Sequence, residues 1–264
     1  MNRLENKITW LKKNKRKALV TYVTAGYPDL ASTESIFKTL TDSGADIIEL
    51  GVPFSDPIAD GPTIQFSSDQ ALKKNMTLAK VFSLVKSIRK YSDTPVILMG
   101  YTNPLIRNGI ESTARAAAAS GVDGFIIPDL IPEEALDIRK SLKKYGLSLI
   151  FLAAPNSSTE RLRYLDSTSS PFLYIVSLTG VTGGRKQLPA SAIEFIKRTK
   201  RIVKQTRFVG FGISSAEQVK SLKSHADGVI IGSSLIDIIR KYPNREQRAK
   251  QLTAYVSSLR KALD

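Results

Sequence analysis

The side chains best suited to acid/base chemistry lie in residues 46–65, which read DIIELGVPFSDPIADGPTIQ. A short apolar run leads to Glu49, and a loop rich in proline and glycine then carries Asp60. Because the side chains of a strand alternate between its two faces, Glu49 shares a side with the apolar Ile47. A carboxylate in such surroundings loses hydration, which raises its pKa and suits it to general acid/base catalysis. An ion pair between Glu49 and a Lys or Arg at the end of the sheet is the alternative.

The loop after Glu49 carries two more carboxylates with an ordinary structural alternative. Asp56 precedes Pro57 and Asp60 precedes Gly61, and aspartate is a common turn residue in both contexts. Two carboxylates that reach one cleft from different elements have pKa values that their surroundings separate, so that an acid and a base can coexist. We therefore expect Asp60 to be the partner of Glu49, and leave Asp56 equally open to a role in the turn.

The composition excludes several kinds of site. Cysteine is absent and His225 is the only histidine. Disulfides, thiol nucleophiles and thiolate metal sites are therefore excluded, and neither a histidine-based triad nor a zinc site is expected. His225 lies between a predicted helix and a predicted strand, where a solvated or capping position is the plainer interpretation. Acid/base chemistry must fall to carboxylates, tyrosines or lysines.

The formal charge of +15 raises the question of a nucleic-acid partner. The basic clusters at 12–17, 139–144 and 197–207 fall on different predicted helices and lack the interleaved aromatic residues of RNA-binding modules. A solvated basic surface is the preferred interpretation, and an acidic protein partner or an anionic substrate fits it equally well. No apolar run approaches the roughly 18 residues of a membrane span, and the N-terminal segment lacks the apolar core of a secretory signal. We expect a cytoplasmic protein with no nucleic-acid or membrane partner.

The elements that must position these residues alternate between strands and helices. The pattern predicts an amphipathic N-terminal helix over 2–16 with an Asn2 and Glu5 capping box, and a last helix over about 245–263. Between them it predicts eight strands, each followed by a helix, at 17–24, 46–50, 95–101, 124–127, 148–152, 172–176, 208–211 and 228–231. Mostly apolar strands separated by helices require a parallel sheet covered on both faces.

Eight such strands in 264 residues favour one (β/α)8 TIM barrel over 1–264, with an extra N-terminal helix and an additional C-terminal helix. A doubly wound open sheet is the alternative. An αβ junction recurs at 43–46, 120–123 and 224–227, which read Ser-Gly-Ala-Asp, Ser-Gly-Val-Asp and Ser-His-Ala-Asp, and this supports a repeating unit. The seventh helix, over 215–223, is expected to begin with a capping box of Ser214 and Glu217.

Two connections are longer than the others, and both follow the carboxyl end of a strand, where barrel enzymes place their active sites. The first is a loop over 51–75, and the second, over 177–190, has the glycines of a mobile lid. Three glycine-rich segments at strand ends, 180–184, 210–214 and 232–234, can offer backbone N–H groups to a phosphate. We therefore expect a phosphorylated small-molecule substrate. A nicotinamide or flavin cofactor is not expected, because no GxGxxG follows the first strand.

Four segments together resemble one known family. They are YVTAGYPD at 22–29, ELGVPFSDPIADGPTIQ at 49–65, GVTG at 180–183 and GFGIS at 210–214. In order and spacing, they resemble the tryptophan synthase α chain family over essentially the whole chain. The lid departs modestly from that family, because it reads Gly-Gly-Arg-Lys at 183–186.

The resemblance implies a TIM-barrel lyase that cleaves indole-3-glycerol phosphate to indole and glyceraldehyde 3-phosphate by a retro-aldol step. It implies that Glu49 is the acid/base at indole C3 and the C3′ hydroxyl, and that Asp60 stabilises positive charge at the indole nitrogen. The implied neighbours of the substrate are Tyr22, Tyr101, Tyr174, Thr182 and Phe211, with Thr182 positioning Asp60. The implied phosphate ligands are Gly183, Gly212, Gly232 and Ser233.

The resemblance also implies an α2β2 heterotetramer for tryptophan biosynthesis, with no cofactor in this chain and pyridoxal phosphate in the β chain that receives indole. The segments 53–60 and 103–108 would face that partner. The altered lid leaves open a second hypothesis, a non-catalytic subunit that only activates a β chain. Nucleic-acid binding is a third, which rests on charge alone.

Overall fold

Strands and helices alternate along the chain in a computed structural model, which describes residues 2–177 and 188–264. The strands are β1 (Ala18–Thr24), β2 (Ile47–Gly51), β3 (Val96–Met99), β4 (Gly124–Ile126), β5 (Ser148–Ile150), β6 (Leu152–Ala153), β7 (Phe172–Val176), β8 (Thr206–Gly210) and β9 (Gly228–Ile231). The helices are α1 (Arg3–Lys13), α2 (Leu30–Asp42), α3 (Pro62–Lys73), α4 (Leu78–Ile88), α5 (Thr102–Ile106), α6 (Ile110–Ser120), α7 (Leu136–Lys144), α8 (Thr159–Thr168), α9 (Ala190–Ile202), α10 (Ala216–Leu222), α11 (Ser233–Lys241) and α12 (Arg245–Leu263). Within the described ranges, no helix has both the length and the apolar character needed to cross a membrane.

The sheet closes into a barrel, because the strands at its two ends are two halves of one interrupted strand. Its order is β5-β4-β3-β2-β1-β9-β8-β7-β6, and every pairing is parallel. The two ends of this order, β5 and β6, are consecutive in the chain and separated only by Phe151. Phe151 belongs to the same ladder, because its carbonyl oxygen accepts a hydrogen bond of 3.1 Å from the backbone N–H of Tyr174. The nine strands therefore fill the eight positions of a (β/α)8 barrel, and the open sheet is excluded.

Helix α1 begins as predicted and covers apolar surface. Asn2 and Glu5 form the expected capping box, and Leu4, Ile8 and Leu11 are buried. At the other end of the chain, α12 buries a stripe that includes Leu252 and Val256. Both additional helices of the predicted architecture are confirmed.

The recurring αβ junction has a structural explanation, which is clearest at Asp123. The backbone N–H of Asp123 donates to the carbonyl of Val96 at 2.9 Å, and its carboxylate accepts from the N–H of Val96 at 2.8 Å. The same carboxylate lies 2.7 Å from a guanidinium nitrogen of Arg89. One aspartate therefore fastens the start of β3 to the start of β4 and neutralises a nearly buried arginine.

The other two copies of the junction repeat this arrangement. Each aspartate exchanges two hydrogen bonds with one residue of the preceding neighbour strand, and each carboxylate pairs with a guanidinium. Asp46 exchanges its hydrogen bonds with Leu19 and pairs with the guanidinium of Arg260. Asp227 does both with Arg207, through the backbone and the guanidinium of that residue. The repeat detected in the sequence is thus a strand-fastening device at three places around the barrel.

Some predicted boundaries are wrong. The predicted loop over 51–75 contains α3, which begins with Pro62, a residue suited to the first helical turn. The helix has no obvious apolar stripe, because its buried face includes Ser67 and Ser68. The capping box of α10 is formed by Ser215 and Gln218, one residue later than predicted. The predicted helix over 132–145 is shorter, since α7 begins at Leu136. The predicted strand over 148–152 is divided at Phe151, and the short α5 was not predicted.

We expect Asp123→Ala to lower the free energy of unfolding by about 3 kcal/mol, because it leaves the buried guanidinium of Arg89 without its counter-charge. The loss lies at the low end of the usual range because Arg89 keeps hydrogen bonds to three carbonyl oxygens. Urea unfolding measures it. Asp93→Ala is the matched control, since Asp93 is 93% exposed and pairs only at the surface, with Arg3 at 3.2 Å; its loss should stay below about 1 kcal/mol. Equal losses in the two variants would refute the fastening role.

Candidate active site

Glu49 lies in the middle of β2 with its carboxylate enclosed by the barrel. The residue is 1% exposed, and neither carboxylate oxygen has a hydrogen-bond partner among the described residues. Burial raises the pKa of Glu49 to about 8, because an ionised carboxylate without water or a donor is strongly disfavoured. The ion pair considered as the alternative is absent from the described part of the chain, and Glu49 carries its proton at neutral pH.

Two glycines at strand ends make room for two tyrosine hydroxyls. Tyr22 lies beside Glu49 in the register of β1 and β2, and a Cβ on Gly51 would lie only 2.1 Å from its hydroxyl oxygen. A Cβ on Gly210 would likewise lie 2.1 Å from the hydroxyl oxygen of Tyr174. A side chain at either position would displace a ring, so both glycines are required by packing at the carboxyl ends of the strands.

Asp60 reaches the same region from the loop between β2 and α3. Burial raises its pKa to about 6, and a hydrogen bond from the hydroxyl of Tyr101 partly opposes that rise. The Tyr101 hydroxyl also accepts the backbone N–H of Ala59 at 3.0 Å. One buried tyrosine therefore holds this loop through two consecutive residues. At pH 7 most of the Asp60 population is ionised, while Glu49 is mostly neutral.

Glu49 and Asp60 both raise the pKa of the same two tyrosines, Tyr22 and Tyr174. The pKa of Tyr174 is raised by burial and by the charges of Glu49 and Asp60, and the pKa of Tyr22 is raised by burial, by Asp60 and, more weakly, by Tyr101 and Glu49. These shared electrostatic interactions connect five of the predicted side chains at one end of the barrel: Glu49, Asp60, Tyr22, Tyr101 and Tyr174. Asp56, by contrast, is exposed and bonds its neighbour Ser55, which fits the turn interpretation.

A chain of hydroxyl groups orients Tyr22. The Tyr22 hydroxyl lies 3.3 Å from the Thr24 hydroxyl, which lies 2.6 Å from the hydroxyl of Ser67. Ser67 donates to the carbonyl oxygen of Ile64 at 2.8 Å. Since a carbonyl only accepts, each hydroxyl in turn donates towards Ser67, and the Tyr22 oxygen is left to act as an acceptor.

The predicted phosphate segments also lie at the carboxyl ends of strands. Phe211 and Gly212 follow β8 with left-handed backbone angles, φ of 69° and 74°, and the ring of Phe211 meets that of Tyr174 edge-on at 5.9 Å. Gly232 caps α11 without a side-chain hydrogen bond, and a Cβ there would lie 3.4 Å from the Cβ of Tyr22. The N-terminus of α11, which includes Ser233, is thus close to the tyrosine beside Glu49.

Two predicted residues, Thr182 and Gly183, lie outside the described residues, as does most of the predicted lid. Three others of importance were missed by the sequence analysis: Thr24 and Ser67, which orient Tyr22, and Tyr255 of α12. The Tyr255 hydroxyl lies 2.9 Å from the carbonyl oxygen of Ser214 and 2.7 Å from the hydroxyl oxygen of Ser234. No short-range pattern marks these residues, because each depends on a long-range contact: Thr24 and Ser67 are 43 residues apart, and the partners of Tyr255 lie 41 and 21 residues away. No group of His, Cys, Asp and Glu in the described ranges is arranged to hold a metal ion.

Comparison with known proteins shows the family of the chain. The family model described as "Tryptophan synthase alpha chain" matches residues 8–264. The chain belongs to the tryptophan synthase alpha chain family. Its relative of that description from Geotalea daltonii is 46% identical over 260 residues, which cover 98% of each chain. The chain is therefore a member of a family of lyases.

Solved structures of tryptophan synthase alpha chains share the fold. The one from Legionella pneumophila subsp. pneumophila has a TM-score of 0.90 and 37% identity, and the match covers 100% of this chain and 98% of that one. A structure described as the a2b2 complex of tryptophan synthase from Pyrococcus furiosus has a TM-score of 0.87 and 43% identity, covering 92% of this chain and 98% of that one.

Burial of Glu49 predicts how the stability of the chain depends on pH. Folding raises the pKa of Glu49 from an ordinary 4.5 to about 8, so its effect on the free energy of unfolding is most favourable below pH 4.5, worsens as pH rises from 4.5 to 8 and levels off above 8. Compared with Glu49→Gln, which does not titrate, the wild type should lose about 1.4 kcal/mol per pH unit between pH 5 and 8. Urea unfolding of both proteins across this range measures the difference. A constant difference would show that Glu49 has the same pKa folded and unfolded.

Proposed function

We propose that the chain cleaves indole-3-glycerol phosphate to indole and glyceraldehyde 3-phosphate by a retro-aldol reaction. The observation that carries the proposal is the pair of carboxylates in different protonation states, a neutral Glu49 and a largely ionised Asp60, beside the same two tyrosines. Membership of the tryptophan synthase alpha chain family supports the choice of substrate. The proton donor and the ionised carboxylate that the proposed cleavage needs are therefore both available at neutral pH.

Glu49 supplies and recovers one proton. Its carboxylic acid protonates indole C3, and the resulting carboxylate removes the proton of the C3′ hydroxyl. The bond between indole C3 and C3′ then breaks, its electron pair restores the indole ring, and the hydroxyl oxygen becomes the aldehyde oxygen of glyceraldehyde 3-phosphate. The proton count balances, and a pKa of about 8 lets one group act first as acid and then as base near neutral pH.

Asp60 stabilises the positive charge that develops on the indole ring. Protonation at C3 places positive charge on the ring nitrogen, and an ionised carboxylate beside the N–H stabilises that intermediate. Its pKa of about 6 keeps it mostly ionised at pH 7, while Tyr101 holds the loop from which it projects. Thr182, outside the described residues, would complete this arrangement by positioning Asp60.

Aromatic side chains border the space for the indole ring, and backbone N–H groups hold the phosphate. The aromatic set is Tyr22, Tyr101, Tyr174 and Phe211. The phosphate set is Gly212, Gly232 and Ser233, with Gly183 from the undescribed segment. Glycine allows close approach of the backbone, and the positive end of a helix dipole favours the dianion.

We propose a β chain as the partner, in an α2β2 tetramer that passes indole to a pyridoxal-phosphate enzyme in the cytoplasm for tryptophan biosynthesis. The described a2b2 complex of Pyrococcus furiosus supports this assembly. The loop over 53–60 offers a suitable surface, since Ile58 is 84% exposed there although a large aliphatic side chain gains by leaving water. The same loop ends at Asp60, so a partner bound to it would act directly on the catalytic carboxylate.

The activity is tested by indole release from indole-3-glycerol phosphate, with and without an added β chain. Glu49→Gln should lose at least about a thousandfold in kcat, because general acid/base catalysis supplies roughly 10²–10⁴-fold at each use. Asp60→Asn should also lose most of the activity, because it removes the charge that stabilises the intermediate.

Asp56→Asn is the matched control for both variants, as an exposed carboxylate of the same loop, and should keep wild-type activity in the assay without a β chain. Indole release unchanged in Glu49→Gln would disprove the proposed mechanism. A wild-type protein that stimulates a β chain but never forms indole would establish the non-catalytic subunit instead.

A further inference from the structure

Tyr255 joins two chain segments that belong to the phosphate side of the proposed site. It projects from the C-terminal helix α12 and is half-buried. Its hydroxyl lies 2.9 Å from the carbonyl oxygen of Ser214, in the segment after β8, and 2.7 Å from the hydroxyl oxygen of Ser234, in the first turn of α11. A single side chain from outside the barrel therefore connects these two segments.

The direction of these hydrogen bonds follows from the inventory of donors. A phenol has one proton, and the carbonyl oxygen of Ser214 can only accept, so the Tyr255 hydroxyl donates to Ser214 and accepts the proton of Ser234. In this arrangement both bonds can form together. Burial raises the pKa of Tyr255, so the hydroxyl keeps the proton that this arrangement needs.

The neighbouring backbone groups show which N–H groups remain for a ligand. The N–H groups of Ser214 and Ser215 donate to the side-chain oxygen of Gln218 at 2.7 and 3.2 Å, so these two groups are already satisfied. In α11, the first backbone bond inside the helix is the one from Leu235 to Gly232, at 2.9 Å. The N–H groups that precede it, including that of Ser233, are the ones an α-helix leaves for a cap or a ligand.

We propose that Tyr255 is a positioning residue for phosphate binding, which holds the Gly212 segment and the N-terminus of α11 at the separation that a phosphate group requires. The inference rests on the proposed function, because it assigns Tyr255 to the phosphate subsite of that substrate. Tyr255 touches neither the substrate nor Glu49. Its contribution is to keep N–H groups from two different βα units aimed at one point, because binding energy depends on donors that are already in place.

Removing the hydroxyl should weaken recognition of the phosphate and leave the chemistry intact. Tyr255→Phe should raise KM for indole-3-glycerol phosphate about threefold to tenfold, the equivalent of one hydrogen bond, while kcat stays within about twofold of wild type. The dissociation constant of glycerol 3-phosphate, measured by calorimetry, should rise by the same factor. With indole-3-glycerol, the substrate analogue that lacks the phosphate, kcat/KM should not change.

Two further variants sharpen the test. Ser234→Ala removes the other half of the bridge and should reproduce the effect of Tyr255→Phe, and the double variant should be little worse than either, because both act on one interaction. Ser234→Ala also carries the test alone if Tyr255→Phe folds poorly. Tyr145→Phe is the matched control. It removes a hydroxyl bonded to Glu111 at 2.8 Å at the end of α7, outside the proposed site, and should leave every constant unchanged.

The outcomes separate this inference from the proposed function. Glycerol 3-phosphate affinity and KM unchanged in both Tyr255→Phe and Ser234→Ala would overturn the positioning role even if the enzyme is active. Equal losses with the phosphorylated and the unphosphorylated substrate would overturn it as well, since they would show a general structural defect. A wild-type protein that binds glycerol 3-phosphate but releases no indole would refute the proposed reaction, and the binding constants alone would then decide the role of Tyr255.

Discussion

The burial of the Glu49 carboxylate without a hydrogen-bond partner in the described structure is the constraint on which the site depends. An ionised carboxylate there would cost several kcal/mol, so the group keeps its proton, with a pKa of about 8. A protonated carboxyl group is a usable acid at neutral pH, and its conjugate base is strong enough to remove a proton from a hydroxyl group. The same enclosure that makes Glu49 unfavourable for stability makes it suitable for the proposed reaction.

The barrel keeps this unfavourable group in place through interactions elsewhere. Three aspartates, Asp46, Asp123 and Asp227, fasten neighbouring strands at their starting ends and pair with guanidinium groups. At the opposite ends, Gly51 and Gly210 admit the hydroxyl groups of two tyrosines. Stability is therefore concentrated at one end of the strands, and the other end is free to carry a buried carboxylate and loops with open backbone donors.

Local patterns predicted the barrel, the burial of Glu49 and the position of Asp60 in the loop after β2, because period-2 strands, helix stops and carboxylates at strand ends are short-range signals. They did not reveal α3, since its buried face uses Ser67 and Ser68 in place of large apolar residues. Nor did they reveal Tyr255, whose hydrogen-bond partners lie 41 and 21 residues away. Contacts between distant segments are decided by the closure of the barrel, and no window of the sequence contains both partners.

The most direct test of this account is the titration of the Glu49 side chain itself. In protein labelled with ¹³C-glutamate, the Cδ resonance that disappears in Glu49→Gln can be followed across pH by NMR. The account predicts a midpoint near pH 8, because burial disfavours the charge. A midpoint near 4.5, the ordinary value for glutamate, would contradict it and would leave the proposed proton shuttle without its physical basis.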